Sequence, residues 1–289
     1  MTTICNKYKL VDKIGSGSFG LIYKGINIRT NEYVAIKVEN IQNGNKLLKN
    51  EANIYKYLNN SKGIPTIKWY GVDKQNNYMV INLLGNTLEQ LKQQQPTKSF
   101  TLSLTLKIGL QIIELLQIIH EKGLVHRDIK PDNFLFGLNH NSNQIYIIDF
   151  GFCKTYLTNN NKHIEIKQHT SLIGTHNYAS INSHNYIELT RRDDMESLGY
   201  VLLYFLFGRL PWESTHDNNA IKQMKINIIE NTKIPIVFYK YFSYVKQLGF
   251  IETPNYNMLR SLFITELSKN IKNSNDIFQI LNMYKLTKE

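Results

Sequence analysis

Two hydrophobic periods divide the chain. At Lys9 to Ile14, Leu21 to Asn27 and Tyr33 to Glu39 apolar and polar residues alternate, the period of a half-buried β-strand. A helical stripe follows near Lys46 to Leu58, then another strand at Tyr78 to Ile81. Beyond Gly85 the spacing changes. Leu104, Ile108, Ile112, Leu115, Leu116 and Ile119 recur on one helical face, and Gly123 suits the left-handed position that ends a helix. Helices dominate from there, apart from short strands at Phe134 to Phe136 and Ile145 to Ile148, and the last is expected at Asp276 to Lys285. The pattern predicts an α+β chain acting as one domain over 1–289: a small β-rich lobe with one helix over about 1–81, a hinge at 82–85, and a larger, mainly helical lobe over about 86–289.

Polar residues at apolar positions are the first sign of chemistry. The stripe of the helix near 46–58 reads Leu47, Glu51, Ile54, Tyr55 and Leu58, which turns one carboxylate toward the core. A buried carboxylate without a cation costs several kcal/mol or is driven to protonate. Lys37, in the strand Val34-Ala35-Ile36-Lys37, is the nearest candidate partner; that tetrapeptide alone would equally allow the lysine to snorkel outward. Gly15-Ser16-Gly17-Ser18-Phe19-Gly20 has the form G-x-G-x-x-G, which a plain hairpin also satisfies. A dinucleotide-binding turn would lead into a helix, but Leu21-Ile22-Tyr23-Lys24 continues as a strand. The reading is a glycine-rich hairpin whose backbone N–H groups can close over phosphates.

His126-Arg127-Asp128-Ile129-Lys130-Pro131-Asp132-Asn133 follows the long helix, and Asp149-Phe150-Gly151 ends the strand at Ile145 to Ile148. A carboxylate such as Asp128 can take a hydroxyl proton, Lys130 can neutralise charge on a transferring phosphoryl group, and the oxygens of Asn133 and Asp149 are hard ligands suited to Mg²⁺. In order and spacing these elements resemble the protein-kinase signature set, from Tyr8 to about Lys285. The resemblance implies the bilobal kinase fold, ATP and Mg²⁺ as cofactors, Asp128 as catalytic base with Lys130 and Asn133, and Lys37 with Glu51 as the α/β-phosphate lysine and its partner. It also implies nucleotide contacts from Ile14, Gly15, Ser16, Gly17, Ser18, Phe19, Gly20, Leu21, Ile22 and Ala35. Further contacts are implied from the gatekeeper Ile81, the hinge Asn82, Leu83 and Leu84, and Leu135, Ile148 and Asp149.

Tyr178-Ala179-Ser180-Ile181-Asn182 stands where most kinases have Ala-Pro-Glu. With Gly63-Ile64-Pro65-Thr66-Ile67, Pro131-Asp132-Asn133-Phe134-Leu135, Arg191-Arg192-Asp193-Asp194 and Leu210-Pro211-Trp212, it closely resembles the casein kinase 1 family of Ser/Thr kinases. That resemblance implies protein substrates with acidic or phosphorylated residues upstream of Ser or Thr, and signalling through their phosphorylation. Asp194 is implied to brace the catalytic-loop backbone. For the first of two implied anion pockets, Arg127 and Lys154 match and Thr170 replaces a lysine; in the second, Asn177 replaces an arginine and the partner lysine is either Lys222 or Lys225. Asn177 carries no charge and cannot grip phosphate bidentately, so dependence on a priming phosphate is expected to be weak. Cys153 sits where a small apolar residue is usual, either as a packed small side chain or as a reactive thiol.

Composition narrows the classes. With 42% hydrophobic and 11% aromatic residues the chain can bury a core. Asparagine, about one residue in nine, forms clusters such as Asn159 to Asn161 and Asn218 to Asn219, read as loop insertions or as genomic bias. The longest uninterrupted apolar run, Tyr200 to Phe207, falls well short of the roughly 20 residues of a membrane span, and Met1 to Asp12 contains no apolar signal core. Two cysteines give neither a disulfide framework nor a four-ligand zinc site; cytoplasm or nucleus, and a monomer, are expected. The net charge of +11 admits nucleic acid, membrane surface or acidic substrate. Its cations are scattered and no nucleic-acid motif accompanies them, so nucleic acid is not expected. The substrate-side reading instead invokes Arg127, Lys130 and Lys154, with Arg191 and Arg192. A kinase-fold scaffold without activity is the alternative, which the presence of every required residue disfavours.

Overall fold

The computed structural model describes residues 3–17, 20–41, 47–230 and 233–269; Ser18, Phe19 and the helix expected at Asp276 to Lys285 lie outside the described residues. The chain divides into two compact units, residues 1–91 with 131–154, and residues 92–130 with 155–289. This grouping differs from a division at 82–85. Residues 131–154 join the first unit because Gly85 N–H donates to the Phe136 carbonyl (2.8 Å) and Ile147 N–H to the Gly63 carbonyl (2.9 Å).

The first unit is built on an antiparallel sheet of β1 (Thr3–Ile4), β2 (Tyr8–Gly17), β3 (Gly20–Asn27), β4 (Tyr33–Asn40), β5 (Ile67–Val72) and β6 (Asn76–Asn82), in the order β1-β2-β3-β4-β6-β5. Val34, Ile36 and Val80 share one face with Ile4, Tyr8 and Tyr78 and form a dry cluster. The register pairs Ile22 with Lys37 and Ala35 with Ile81. Alternation therefore puts Ile22, Ala35, Lys37 and Ile81 together on the opposite face. α1 (Leu47–Tyr57) starts where the Glu39 carboxylate accepts from the Leu48 N–H (3.2 Å) and from the Asn77 amide (2.9 Å). It buries Leu48, Glu51, Ala52 and Tyr55 rather than Leu47 and Ile54. Positions 48, 51, 52 and 55 make one helical face, and Ala52 is too small to show it in the hydrophobic pattern. β5 is also absent from the pattern, because its side chains are all partly exposed and do not alternate. An antiparallel pair of short strands, Phe134–Phe136 and Ile145–Ile147, completes this unit. A short helix, α2 (Leu88–Gln93), follows Thr87.

The second unit is helical. α3 (Leu102–Glu121) is capped by the Thr101 side chain, which accepts from Leu104 N–H (3.2 Å). It ends before Gly123, whose φ of 76° is the left-handed value expected there. Among the described residues α3 alone is long and apolar enough to cross a membrane; Lys107, Gln111 and Glu114 break the run and hide that property from a search for uninterrupted apolar residues. Here it is a core helix, burying Ile108, Ile112, Leu116 and Ile119 and packing on α5 (Arg191–Phe207) and α8 (Tyr256–Ser268). α4 (Ile181–His184), α6 (Asn218–Ile226) and α7 (Ile236–Val245) complete the unit. Asn218 and Asn219 open α6 instead of forming a loop, because the Asp217 carboxylate accepts from the Asn219 N–H (2.9 Å) as an N-cap. α5 is buried continuously from Asp193 to Phe205. Its C-terminal Gly208 carbonyl accepts from the buried Lys92 ammonium (2.7 Å), which also lies 3.7 Å from the Tyr204 ring centroid.

At Gly109 α3 leaves no room for a side chain: a Cβ there would stand 2.6 Å from the Phe263 ring and 3.1 Å from Leu202. Gly109→Val is expected to destabilise the protein by about 2 kcal/mol or more, since overpacking outweighs the better helix propensity. Urea unfolding of the two proteins measures it, as a lower midpoint at unchanged slope.

Candidate active site

In the first unit, local pairing gathers the phosphate-side residues named from sequence. The strand pair joins Phe134 to Ile147, and the Asn133 carbonyl accepts from the Ile148 N–H (2.9 Å). Asn133, at the end of a 3₁₀ turn, and Asp149, just past the second strand, thus lie at the same end of this pair. Two hard oxygen donors in one place fit Mg²⁺, which keeps open positions for phosphate oxygens and water. Asp149 has a positive φ of 64°, an uncommon conformation for a non-glycine residue. Its N–H donates to the Tyr55 hydroxyl (3.3 Å), and the Tyr55 ring meets Phe150 edge-on with centroids 4.9 Å apart.

Lys37 is buried and its ammonium bridges Glu51 (2.7 Å) and Asp149 (3.2 Å). Burial pulls its pKa down, but the two carboxylates outweigh that and hold it above the ordinary lysine value. Burial pushes Glu51 up, against the pull of Lys37. Lys37 sets the charge state of the pair, because it faces two anions while Glu51 faces one cation. α1 therefore contributes both Glu51 and, one turn on, Tyr55; the sequence marked Tyr55 only as a core position.

The residues implied for adenine belong to this unit. Ile22, Ala35, Ile81, Leu83, Leu84, Leu135 and Ile148 are partly exposed apolar side chains, while Ile14 and Leu21 are more open, at 49% and 39%. The Asn82 side chain accepts from the Thr66 N–H (2.7 Å), and Asn82 pairs with Val34 at the end of β6. In the hairpin Gly17 pairs with Gly20 and Ser16 with Leu21. A Cβ at Gly20 would overlap the Val38 carbonyl, whereas one at Gly15 would meet nothing closer than Ile22 at 3.9 Å. The third glycine is thus required by sheet packing.

In the second unit, Asp128 is buried and held on both oxygens: Lys130 Nζ lies 2.6 Å from Oδ2 and Thr175 Oγ1 donates to Oδ1 at 2.7 Å. Thr175 was not singled out from sequence; its only signal there was its place beside Gly174. The loop is fixed from below by Asp194, which accepts from the backbone N–H groups of His126 (2.7 Å) and Arg127 (2.8 Å) and from His120 Nε2 (3.0 Å). The other ring nitrogen of His120, Nδ1, lies 2.7 Å from the Tyr256 hydroxyl. Burial pushes Asp194 up, yet the bonds from His120 and His126 hold it below the ordinary carboxylate value.

The cations named from sequence for the substrate side each lie within one of the two units. Arg127 lies 3.7 Å from the buried Glu188, which also meets His169 at 3.3 Å. Lys154 is in the first unit and half-buried. Arg191 and Arg192 do not face outward as a substrate-side pair. Arg191 is 8% exposed, lies over the Tyr156 ring and donates to Tyr156 and to the Ile251 carbonyl, and Arg192 donates to the Leu248 carbonyl (3.1 Å). Cys153 is partly buried and Cys5 exposed, and neither forms a disulfide.

The segment Tyr178 to Asn182 is tied to α5 by neutral donors. Ser180 Oγ (2.7 Å) and Asn182 Nδ2 (2.9 Å) donate to one Asp193 oxygen and Thr190 N–H (2.7 Å) to the other, while Ile181 N–H (2.9 Å) and the Tyr200 hydroxyl (2.6 Å) donate to Glu196. In comparison with known families, the family model described as protein kinase domain matches residues 8–277, most of the chain.

Burial raises the Asp193 pKa from 3.8 to about 6, against the pull of its hydrogen bonds. A carboxyl raised on folding binds its proton more readily folded than unfolded, so its contribution to stability falls as pH rises from about 4 to about 6 and is level above. That span corresponds to roughly 3 kcal/mol. In Asp193→Asn this contribution is absent. The stability of the variant relative to wild type is therefore expected to improve by that order between pH 4 and pH 6, as read by urea unfolding across the range; a pH-independent difference would contradict it.

Proposed function

The chain belongs to the protein kinase domain family, and on that premise we propose that it is an active Ser/Thr kinase of the casein kinase 1 type, using ATP and Mg²⁺. The observation that carries this reading is Asp128 held between Lys130 and Thr175. Fixed on both oxygens, the carboxylate has one orientation and accepts the proton of a substrate hydroxyl as it attacks the γ-phosphorus. Lys130 neutralises charge building on the phosphoryl oxygens, and Lys37, ionised by its two carboxylate neighbours, holds the α- and β-phosphates. Asn133 and Asp149 would hold Mg²⁺, which screens the phosphate charge. The half-exposed apolar face of Ile22, Ala35 and Ile81, with Leu135 and Ile148, receives the adenine ring, and the backbone of Asn82 and Leu84 hydrogen-bonds its edge.

Support for the narrower assignment comes from the segment Ser180 to Asn182. Its attachment to Asp193 and Glu196 makes no ion pair, which accords with the motif that resembles the casein kinase 1 family. The substrates are proteins with acidic residues upstream of the accepting Ser or Thr. Discrimination for a priming phosphate is weak, because Asn177 is uncharged and Arg127 already faces the buried Glu188.

Incubation with γ-labelled ATP and casein is expected to give acid-stable label on Ser or Thr, and Asp128→Asn to lower kcat by about a hundredfold or more. Label on no protein, or an Asp128→Asn variant close to wild type, would replace the enzyme with a scaffold. A peptide carrying phosphoserine three residues before the acceptor is expected to exceed its unphosphorylated counterpart in kcat/KM by less than about a hundredfold. A larger preference, more than about 2.7 kcal/mol, would restore a strong phosphate receptor.

A further inference from the structure

Lys225 is on α6 and has no exposed surface. Its ammonium donates to the carbonyls of His176 (2.7 Å) and Ala179 (2.7 Å) and meets His184 Nε2 at 3.0 Å. A lysine ammonium has three N–H groups, and three acceptors at these distances take all of them. The Tyr200 and Trp212 rings close over it, with centroids at 4.9 Å and 5.4 Å. Burial pulls its pKa down to about 7, against the pull of Glu196. His184 meets it as an acceptor, because burial and Lys225 keep the imidazole neutral, with a pKa of about 4.

Trp212 acts on the same segment. Its indole Nε1 donates to the Asn177 carbonyl at 2.9 Å. The N–H groups of Tyr178 and Ala179 both return to the Thr175 carbonyl, at 2.9 Å and 2.8 Å. The main chain from Thr175, whose hydroxyl holds Asp128, to Ala179 is therefore fixed by its own turn and by two buried side chains. The His176 side chain stays exposed and that of Asn177 half-exposed.

We propose that Lys225, assisted by Trp212, is a positioning residue for the peptide substrate: it sets the course of the His176 to Ala179 backbone on which the acceptor segment lies, and it does not bind substrate phosphate. This rests on the kinase reading above. Of the two lysines left open by sequence, Lys225 has no N–H group left for an anion. Lys222, three residues earlier and half-buried, is not subject to that exclusion.

The test compares wild type, Lys225→Met and Trp212→Phe on an acidic Ser peptide, with and without phosphoserine three residues upstream. Methionine matches the length of lysine but donates nothing. Lys225→Met is expected to raise the KM of both peptides by about tenfold to the same extent, while the KM of ATP stays within about twofold. Trp212→Phe, which removes one donor and retains a ring, is expected to raise peptide KM about threefold with the same indifference to ATP, and it serves if the lysine variant does not fold. An effect confined to the phosphorylated peptide would make Lys225 an anion receptor and overturn the proposal. Equal losses for ATP and peptide would make it a general structural residue, as would an unchanged peptide KM in both folded variants. Absence of transfer by wild type would instead overturn the kinase reading, and with it the basis of this one.

Discussion

A polar loop cannot be buried unless its backbone groups find partners, and the loop from His126 to Lys130 has no sheet ladder to supply them. Asp194 supplies them. Its carboxylate, at the start of a helix buried along most of its length, accepts two successive backbone N–H groups and the His120 imidazole. The N-terminal end of α5 favours negative charge there, and the three donors offset the cost of taking a carboxylate out of water. The same anchoring lets Arg127 hold a φ of 69°, which a free loop would abandon. Asp128 inherits its direction from that fixed backbone before Lys130 and Thr175 refine it.

Three buried ammonium groups show how partner chemistry assigns a role. Lys37 faces two carboxylates and is held charged more firmly than a lysine in water. Lys92 faces the carbonyl end of α5 and an aromatic ring, a helix cap. Lys225 faces two carbonyls, an imidazole and two rings, with no carboxylate in contact, and its affinity for the proton drops accordingly. A phosphate competing for Lys37 displaces one anion with another. At Lys225 it would have to enter a closed pocket and break bonds that shape the main chain.

This difference also explains what could be read in advance. Lys37 was recognisable because its partner announced itself: Glu51 breaks an apolar stripe, and a buried carboxylate demands a cation. The contiguous loop from His126 to Asn133 and the triplet Asp149 to Gly151 were legible for the same reason, each placing several chemical groups in one short stretch. Lys225 carried no such mark, since its acceptors are backbone carbonyls, which every residue has and no sequence distinguishes. Thr175 and Tyr55 escaped because hydroxyls are common and their partners lie far along the chain. Among the elements, β3 and β4 followed from alternation. β5 did not alternate, and α6 began on asparagines that resemble a loop until Asp217 is seen to cap it. In α1 the buried face was misplaced by one residue, since the large side chains at 47 and 54 outweighed the small one at 52 that packs.

The net charge of +11 has to be reconsidered in this light. A formal count treats every cation as available to a partner, but availability depends on unoccupied donors and exposure. Arg191 is stacked on Tyr156 and bonded to Ile251, Arg192 is bonded to Leu248, Arg127 faces Glu188, and Lys225 is enclosed. Each of these would look like a substrate-side cation from its position in the sequence, and each is used within the fold. The other cations of the described residues contribute a positive field that acts on any anion at long range and weakens with salt. Long-range attraction speeds encounter with any acidic chain, whereas selection of a primed site needs donors held in place. On the proposed reading the two properties separate, because these four cations are used within the fold.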